Sequence, residues 1–176
     1  MKTWIITDTH LGHKKMVEYE GRPENHSEII LQNLRKYVKS GDTLIHLGDI
    51  CIGNDEAWHF DIAGYLPNNV FRVLVVGNHD KKSYSWYKNH GWNVVCDSMS
   101  IKHNGTMVLL THRPVQKSRC VYFDYGGPVK NLHGHCHGNS HRDSEIPAGS
   151  YDPLFNYDCA LETHDYKPLN LDNLLK

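Results

Sequence analysis

The sequence predicts an α/β domain built on β-sheet with helices outside, and three observations carry that prediction. Short apolar, β-prone segments alternate with helix-permissive ones through the first half of the chain. The second half is mostly strand, including two strands joined by Asn104-Gly105, the residue pair that suits a type I′ hairpin turn. The strongest strands stop at small clusters of Asp, Asn or His, and in α/β sheets ligands bind at the carboxyl edge.

The elements follow in order. Lys2–Thr7 is an apolar, β-prone run ending at Asp8, which reads as a buried strand. A helix is predicted between Asn25 and Ser40: Ile30, Leu34, Tyr37 and Val38 share a face, Asn25 can cap and Gly41 ends it. Thr43–Leu47 is a second strand, Glu56–Gly64 a weaker helix, and Val70–Val76 the strongest strand. Lys82–Asn89 supplies a helical turn or two. Asn93–Cys96, Ser98–Lys102, Thr106–Thr111, Val129–Leu132 and Asn156–Leu161 read as strands, with a short helix after Pro168. Residues 138–153 are polar and rich in Gly, Pro and Ser, which predicts a surface loop.

Composition narrows the function classes. A length of 176 residues without internal repeat or linker fits one domain over residues 1–176. With 39% hydrophobic and 22% charged residues, the chain is an ordinary globular one. No apolar run approaches the ~20 residues of a membrane span. Asp8 interrupts the apolar start before a signal-peptide core can form, so a cytoplasmic protein is expected. Net charge is −1 and no basic block exceeds a pair such as Lys14-Lys15, which leaves no stripe for a nucleic-acid backbone. The five cysteines are widely spaced, lack Cys-x-x-Cys and read as reduced thiols. Histidine is the anomaly: 14 residues, more than surface solubility explains, and a composition that points to metal chemistry.

The strand ends carry that chemistry. The first strand ends at Asp8-Thr9-His10, the second at Gly48-Asp49 and the third at Gly77-Asn78-His79-Asp80. Thr106–Thr111 ends at His112, and the next strand leads to His135-Cys136-His137. Residues two apart on extended backbone point the same way, so each short pair can converge. The donors sum to two Asp, one Asn and four His. This oxygen and imidazole mixture suits Mn²⁺, Fe or Zn²⁺, and is too large for one tetrahedral ion. It fits two ions sharing a carboxylate, a pair that can clamp a phosphoryl group and generate hydroxide at neutral pH.

The ordered set Asp8-x-His10, Gly48-Asp49, Gly77-Asn78-His79-Asp80, His112 and Gly134-His135-x-His137 resembles the calcineurin-like metallophosphoesterase superfamily. The opening Thr7-Asp8-Thr9-His10-Leu11-Gly12-His13, Arg22-Pro23, Thr111-His112-Arg113-Pro114 and Asp165-Tyr166-Lys167-Pro168-Leu169 are similar to small bacterial and phage phosphohydrolases. The resemblance implies a four-layer α/β/β/α sandwich of two mixed sheets flanked by helices. It also implies that Asp8, His10 and His137 hold one divalent ion, that Asn78, His112 and His135 hold the other, and that Asp49 bridges them. His79 then assists the leaving group and Asp80 orients its ring. The favoured metal is Mn²⁺, with Fe, Zn²⁺ or Ni²⁺ as alternatives.

Two departures shape the expected activity. Gly48-Asp49 runs into Ile50-Cys51 and not into the Asp-Arg of the superfamily's protein phosphatases, and the chain lacks the capping domain of its repair nucleases. The expectation is a phosphodiesterase on a small or nucleotide-derived substrate, with a phosphomonoesterase at the same centre as the alternative. A noncatalytic metal-binding scaffold is the reading from another class. His13, Arg22 and Arg113 are candidate substrate contacts because each neighbours a motif and arginine forks onto phosphate. Cys136 is expected to be a buried spacer and His133 a hydrogen-bonded core residue. Asn139, His141, Arg142 and Asp143 are read as part of a solvated loop. Trp86, Tyr87, Trp92, Tyr122, Phe123 and Tyr125 are read as core or lid. Oligomeric state and source are not legible.

Overall fold

The computed structural model describes residues 1–120, 126–139 and 150–175. Tyr122, Phe123, Tyr125, His141, Arg142 and Asp143 lie outside the described residues. Strands β1 (Thr3–Ile6), β2 (Thr43–His46), β3 (Phe71–Val75) and β4 (Val94–Cys96) pair in parallel. The two-residue strand β9 (Leu169–Asn170) adds antiparallel to β1, giving the order β4-β3-β2-β1-β9. A second sheet has the order β5-β6-β7-β8, formed by Ser98–His103, Thr106–Thr111, Val129–His133 and Asn156–Asp158. Its first pair is antiparallel and the other two are parallel.

Side-chain alternation explains why the first strands are apolar throughout. On β1, Ile5 joins Ile45, Val73, Val75, Val108, Leu110 and Leu132 in a layer between the sheets. Trp4 and Ile6 point the other way, into a layer shared with Ile30, Leu31 and Leu34 of α2 (His26–Tyr37) and Ile62 of α3 (Asp55–Tyr65). Each aliphatic side chain buried in these layers contributes roughly 1.5–3 kcal/mol. The result is two mixed sheets flanked by helices, the architecture that the resemblance implies.

The predicted elements are present with local corrections. Asn25 occupies the N-cap of α2 but makes no side-chain cap bond; its carbonyl accepts from Ile29 N–H at 3.1 Å. The weak helix is α3, and the aromatic one is α4 (Tyr84–Asn89), capped by Ser83 on the Trp86 N–H at 3.2 Å. Asn104 and Gly105 both have positive φ, 48° and 82°, and close the β5–β6 hairpin. The last predicted strand stops at Asp158, whose carboxylate accepts the Ala160 and Gly138 N–H groups and bends the chain into a 3₁₀ turn at Leu161–Thr163. Helix α1 (Met16–Glu20) was not expected, and α5 (Leu171–Leu174) begins after β9 with Asn170 as its cap. No helix of the described residues is long and apolar enough to cross a membrane.

Candidate metal centre

The carboxyl ends of β1, β2, β3, β6 and β7 meet along one edge of the two sheets and bring the seven expected ligands there. Asp8, His10 and His137 form one group whose ligand atoms lie within 4.8 Å of one another, and Asp49, His112 and His135 form a second. Asp49 Oδ2 lies 3.7 Å from His10 Nε2 and 3.5 Å from His112 Nε2, so one carboxylate oxygen faces both groups. Asn78 Oδ1 is 2.9 Å from His112 Nε2 and adds a neutral oxygen to the second group.

The reason for convergence differs from the sequence argument. Asp8, His10, Asp49, His135 and His137 are not extended; their φ values are 48°, 42°, 58°, 68° and 49°. Left-handed turns, not the alternation of a strand, aim the paired side chains inward. The glycines before the candidate ligands answer to crowding. A Cβ on Gly134 would overlap the Thr7 hydroxyl and the Asp8 carboxylate, and one on Gly77 would overlap the Asp49 carboxylate.

The centre is short of positive charge. Asp8 is fully buried, its Oδ2 accepts from Thr7 Oγ1 at 2.6 Å and His135 N–H at 2.8 Å, and its Oδ1 has no hydrogen-bond partner. Burial pushes the Asp8 carboxyl above the usual range. Burial, with His137 and Arg22 nearby, lowers His10 to about 2, leaving a neutral ring with a lone pair to give. Burial would lower His112 too, but Asp49, by hydrogen bond and charge, and Asp8 hold it up to about 9. Its two nitrogens both face oxygens, Leu47 O at 2.8 Å and Asn78 Oδ1 at 2.9 Å, so the ring needs a proton on each or a cation in place of one. An orphaned buried carboxylate oxygen and an imidazole between two acceptors fit divalent cations.

The remaining candidates separate. His79 is 47% exposed, its Nε2 lies 3.9 Å from Asp49 Oδ2, and its ring meets His10 edge-on at 5.4 Å. Asp80 does not orient that ring. Its carboxylate accepts the Gly77, Asp49 and Ile50 N–H groups at 2.7, 2.8 and 3.1 Å, tying the loops after β2 and β3 together. Arg22 as a substrate contact is likewise corrected: it is 1% exposed and donates to Asp8 O, Thr9 O and Glu162 Oε1. Buried and engaged in this way, the guanidinium is closed to a phosphate arriving from solvent. His13 lies half-buried beside His10, ring centroids 5.8 Å apart, and Arg113 is half-buried next to His112. Cys136 is buried, as a spacer should be, and His133 is a core residue whose Nε2 meets the Tyr151 hydroxyl at 3.0 Å. Tyr87 and Trp92 are core residues, while half-buried Trp86 stacks on His90 at 3.7 Å.

Glu162 is the residue that sequence reasoning missed. Its Oε1 takes His137 Nδ1 at 2.9 Å, and a hydrogen bond from His137 with the Arg22 charge overcomes burial to lower it to about 2. It lies 140 positions from Arg22, and no local pattern marks it. Glu20 approaches His137 and Glu162 as part of the same network.

Comparisons with known proteins bear on the fold and the family. An uncharacterized protein of Methanocaldococcus jannaschii is 28% identical over 99% of this chain and 90% of its own length. A solved protein of unknown function from Aquifex aeolicus superposes with a TM-score of 0.74 at 26% identity, covering 98% of this chain and 97% of that one. An archaeal phosphodiesterase shares the fold, with a TM-score of 0.53 at 16% identity over 97% of this chain and 99% of that one. The family model for calcineurin-like phosphoesterases matches residues 1–170, and the chain belongs to that family.

Proposed function

We propose that this protein is a two-metal phosphodiesterase acting on a small or nucleotide-derived phosphoester. Asp8, His10 and His137 would hold one divalent ion, Asn78, His112 and His135 the other, and Asp49 would serve both, with Mn²⁺ favoured over Fe, Zn²⁺ and Ni²⁺. Support comes above all from Asp49 Oδ2, which faces both histidine groups at 3.7 and 3.5 Å. When bound, such ions neutralise phosphate charge and make water acidic enough to lose its proton at neutral pH.

The chain's own groups supply the rest. His79 stands at the open side of the centre, where its Nε2 can hand a proton to a departing alkoxide. Its backbone N–H donates to Asp49 Oδ1 at 2.8 Å, so the proton donor and the shared ligand are held in one register. Asp80 fixes that register through three backbone N–H groups. His13 and Arg113 serve as substrate contacts at the rim. The diester preference rests on the missing Asp-Arg pair and on the burial of Arg22, which withdraws one guanidinium from any grip on a terminal phosphate. Residues 1–176 act as one catalytic unit in the cytoplasm, without a nucleic-acid or membrane partner.

The test strips metal with chelator, restores Mn²⁺, and compares an aryl phosphodiester with its monoester. Faster diester turnover is expected. Faster monoester turnover overturns the substrate assignment in favour of a phosphomonoesterase, and two bound ions with neither activity overturn the enzyme reading in favour of a binding scaffold.

A further inference from the structure

Arg22 reaches both halves of one ligand group. Its Nη2 donates to Asp8 O at 2.8 Å and its Nη1 to Thr9 O at 3.0 Å, the two carbonyls of the turn that carries Asp8 and His10. Its Nε and Nη2 also donate to Glu162 Oε1, at 2.8 and 2.6 Å, and the same oxygen takes His137 Nδ1 at 2.9 Å. One buried guanidinium therefore contacts the Asp8–His10 turn directly and the His137 ring through a single carboxylate. A carboxylate behind Nδ1 fixes the tautomer, turns Nε2 toward the centre and makes it a better donor. The other group is held mainly by different means, although His135 N–H also reaches Asp8 Oδ2 at 2.8 Å. His112 Nδ1 donates to the neutral carbonyl of Leu47 at 2.8 Å, and Asp49 is set by the Asp80 carboxylate through its N–H.

We infer that Arg22 and Glu162 are positioning residues for the Asp8–His10–His137 ion alone, so that the two ion positions can be separated by mutation of a pair that touches neither ion. This rests on the metal-centre reading above. Removing one member of a buried ion pair leaves the other unpaired, which is strongly destabilising, whereas replacing both together is far better tolerated. The single variant Glu162→Gln is therefore accompanied by the double variant Arg22→Met/Glu162→Gln.

The experiment titrates Mn²⁺ into chelator-stripped protein by calorimetry, with the electron paramagnetic resonance spectrum of the coupled Mn²⁺ pair as a second readout and circular dichroism confirming the fold. The wild-type chain is expected to take two ions. In the variants one binding event weakens by roughly 10–100-fold, the other stays within about twofold, and the coupled-pair spectrum gives way to that of an isolated ion at limiting metal. In an Asn78→Ala background, which weakens the second position, Glu162→Gln strikes the remaining tight event. Two events of unchanged affinity in a folded variant overturn the inference, as does equal weakening of both. Fewer than two ions on the wild-type chain overturns instead the metal-centre reading on which the inference stands.

Discussion

Gly134 tests whether the crowding at the ligand turns is as tight as the geometry indicates. Its φ is not in the left-handed region, so alanine meets no backbone objection and by stiffening the unfolded chain should stabilise by about 0.4–1 kcal/mol. Against that stands the added methyl, which would overlap the Thr7 hydroxyl and the Asp8 Oδ2. Overpacking of this kind costs about 1–3 kcal/mol. Asp8 Oδ2 accepts from Thr7 Oγ1 at 2.6 Å and His135 N–H at 2.8 Å, and losing one bond to a charged acceptor costs about 1.5–3 kcal/mol more. The balance is a net loss of about 3 kcal/mol, or about 1.5 M in urea midpoint at a slope of about 2 kcal/mol/M. Urea unfolding of the metal-free protein reads it without a contribution from ion binding. Gly64→Ala is the matched control: it lies exposed in α3 with nothing within 4 Å of its added Cβ, and should gain about 0.5–1 kcal/mol. A Gly134→Ala protein within about 0.5 kcal/mol of wild type, binding both ions, would refute the reasoning.

Three further predictions follow from other parts of the molecule. His79→Ala should lower turnover by about 10²–10⁴-fold while both Mn²⁺ binding events survive, since the role proposed for His79 is on the leaving group; unchanged turnover removes it from the mechanism. Asp49→Asn should weaken both ion positions, because its Oδ2 faces both groups, and a calorimetric titration with one event intact would contradict the shared role. Asp42→Asn should cost about 1.5 kcal/mol at neutral pH, as the carboxylate accepts from Lys2 N–H, Trp4 Nε1–H and Lys39 N–H. Burial works against these donors, yet they hold the Asp42 carboxyl below its ordinary value. Its stabilisation is thus present above the ordinary carboxylate pKa and lost as pH falls through the depressed one. The gap between wild type and variant in urea midpoint should close under acid; a gap that widens there would be inconsistent with this account.

The parallel strands and their polar ends were legible because burial on both faces makes β1, β2 and β3 apolar, so that Asp8, Asp49 and Asn78 stand out where each run stops. Five-residue α1 left no such trace. Met16 is its single buried residue, and one apolar position defines no period. Two-residue β9 cannot show alternation at all, and it exists only because β1 offers an edge. Arg22 was misread because a charge near a motif looks exposed until its partner is known, and Glu162 comes from 140 residues further along the chain. Asp80 was misread for a related reason: its donors are backbone N–H groups, which have no sequence signature. Even where the candidate ligands converge, the spacing of two suggests extended backbone, and left-handed φ at non-glycine positions is invisible in the sequence.

The left-handed backbone at the five candidate ligands has a consequence for how the protein can change. For a residue with a Cβ, that conformation costs of order 1 kcal/mol, less for Asp than for bulkier side chains, and glycine adopts it freely. At Asp8, Asp49 and His137 that cost is offset even without metal by buried hydrogen bonds: Thr7 Oγ1 and His135 N–H donate to Asp8, His79 N–H to Asp49, and His137 Nδ1 meets Glu162. Selection for thermal survival alone would preserve those bonds and has no reason to keep any donor that serves only an ion. Selection that also demands ion retention should hold all five and collect its stability elsewhere.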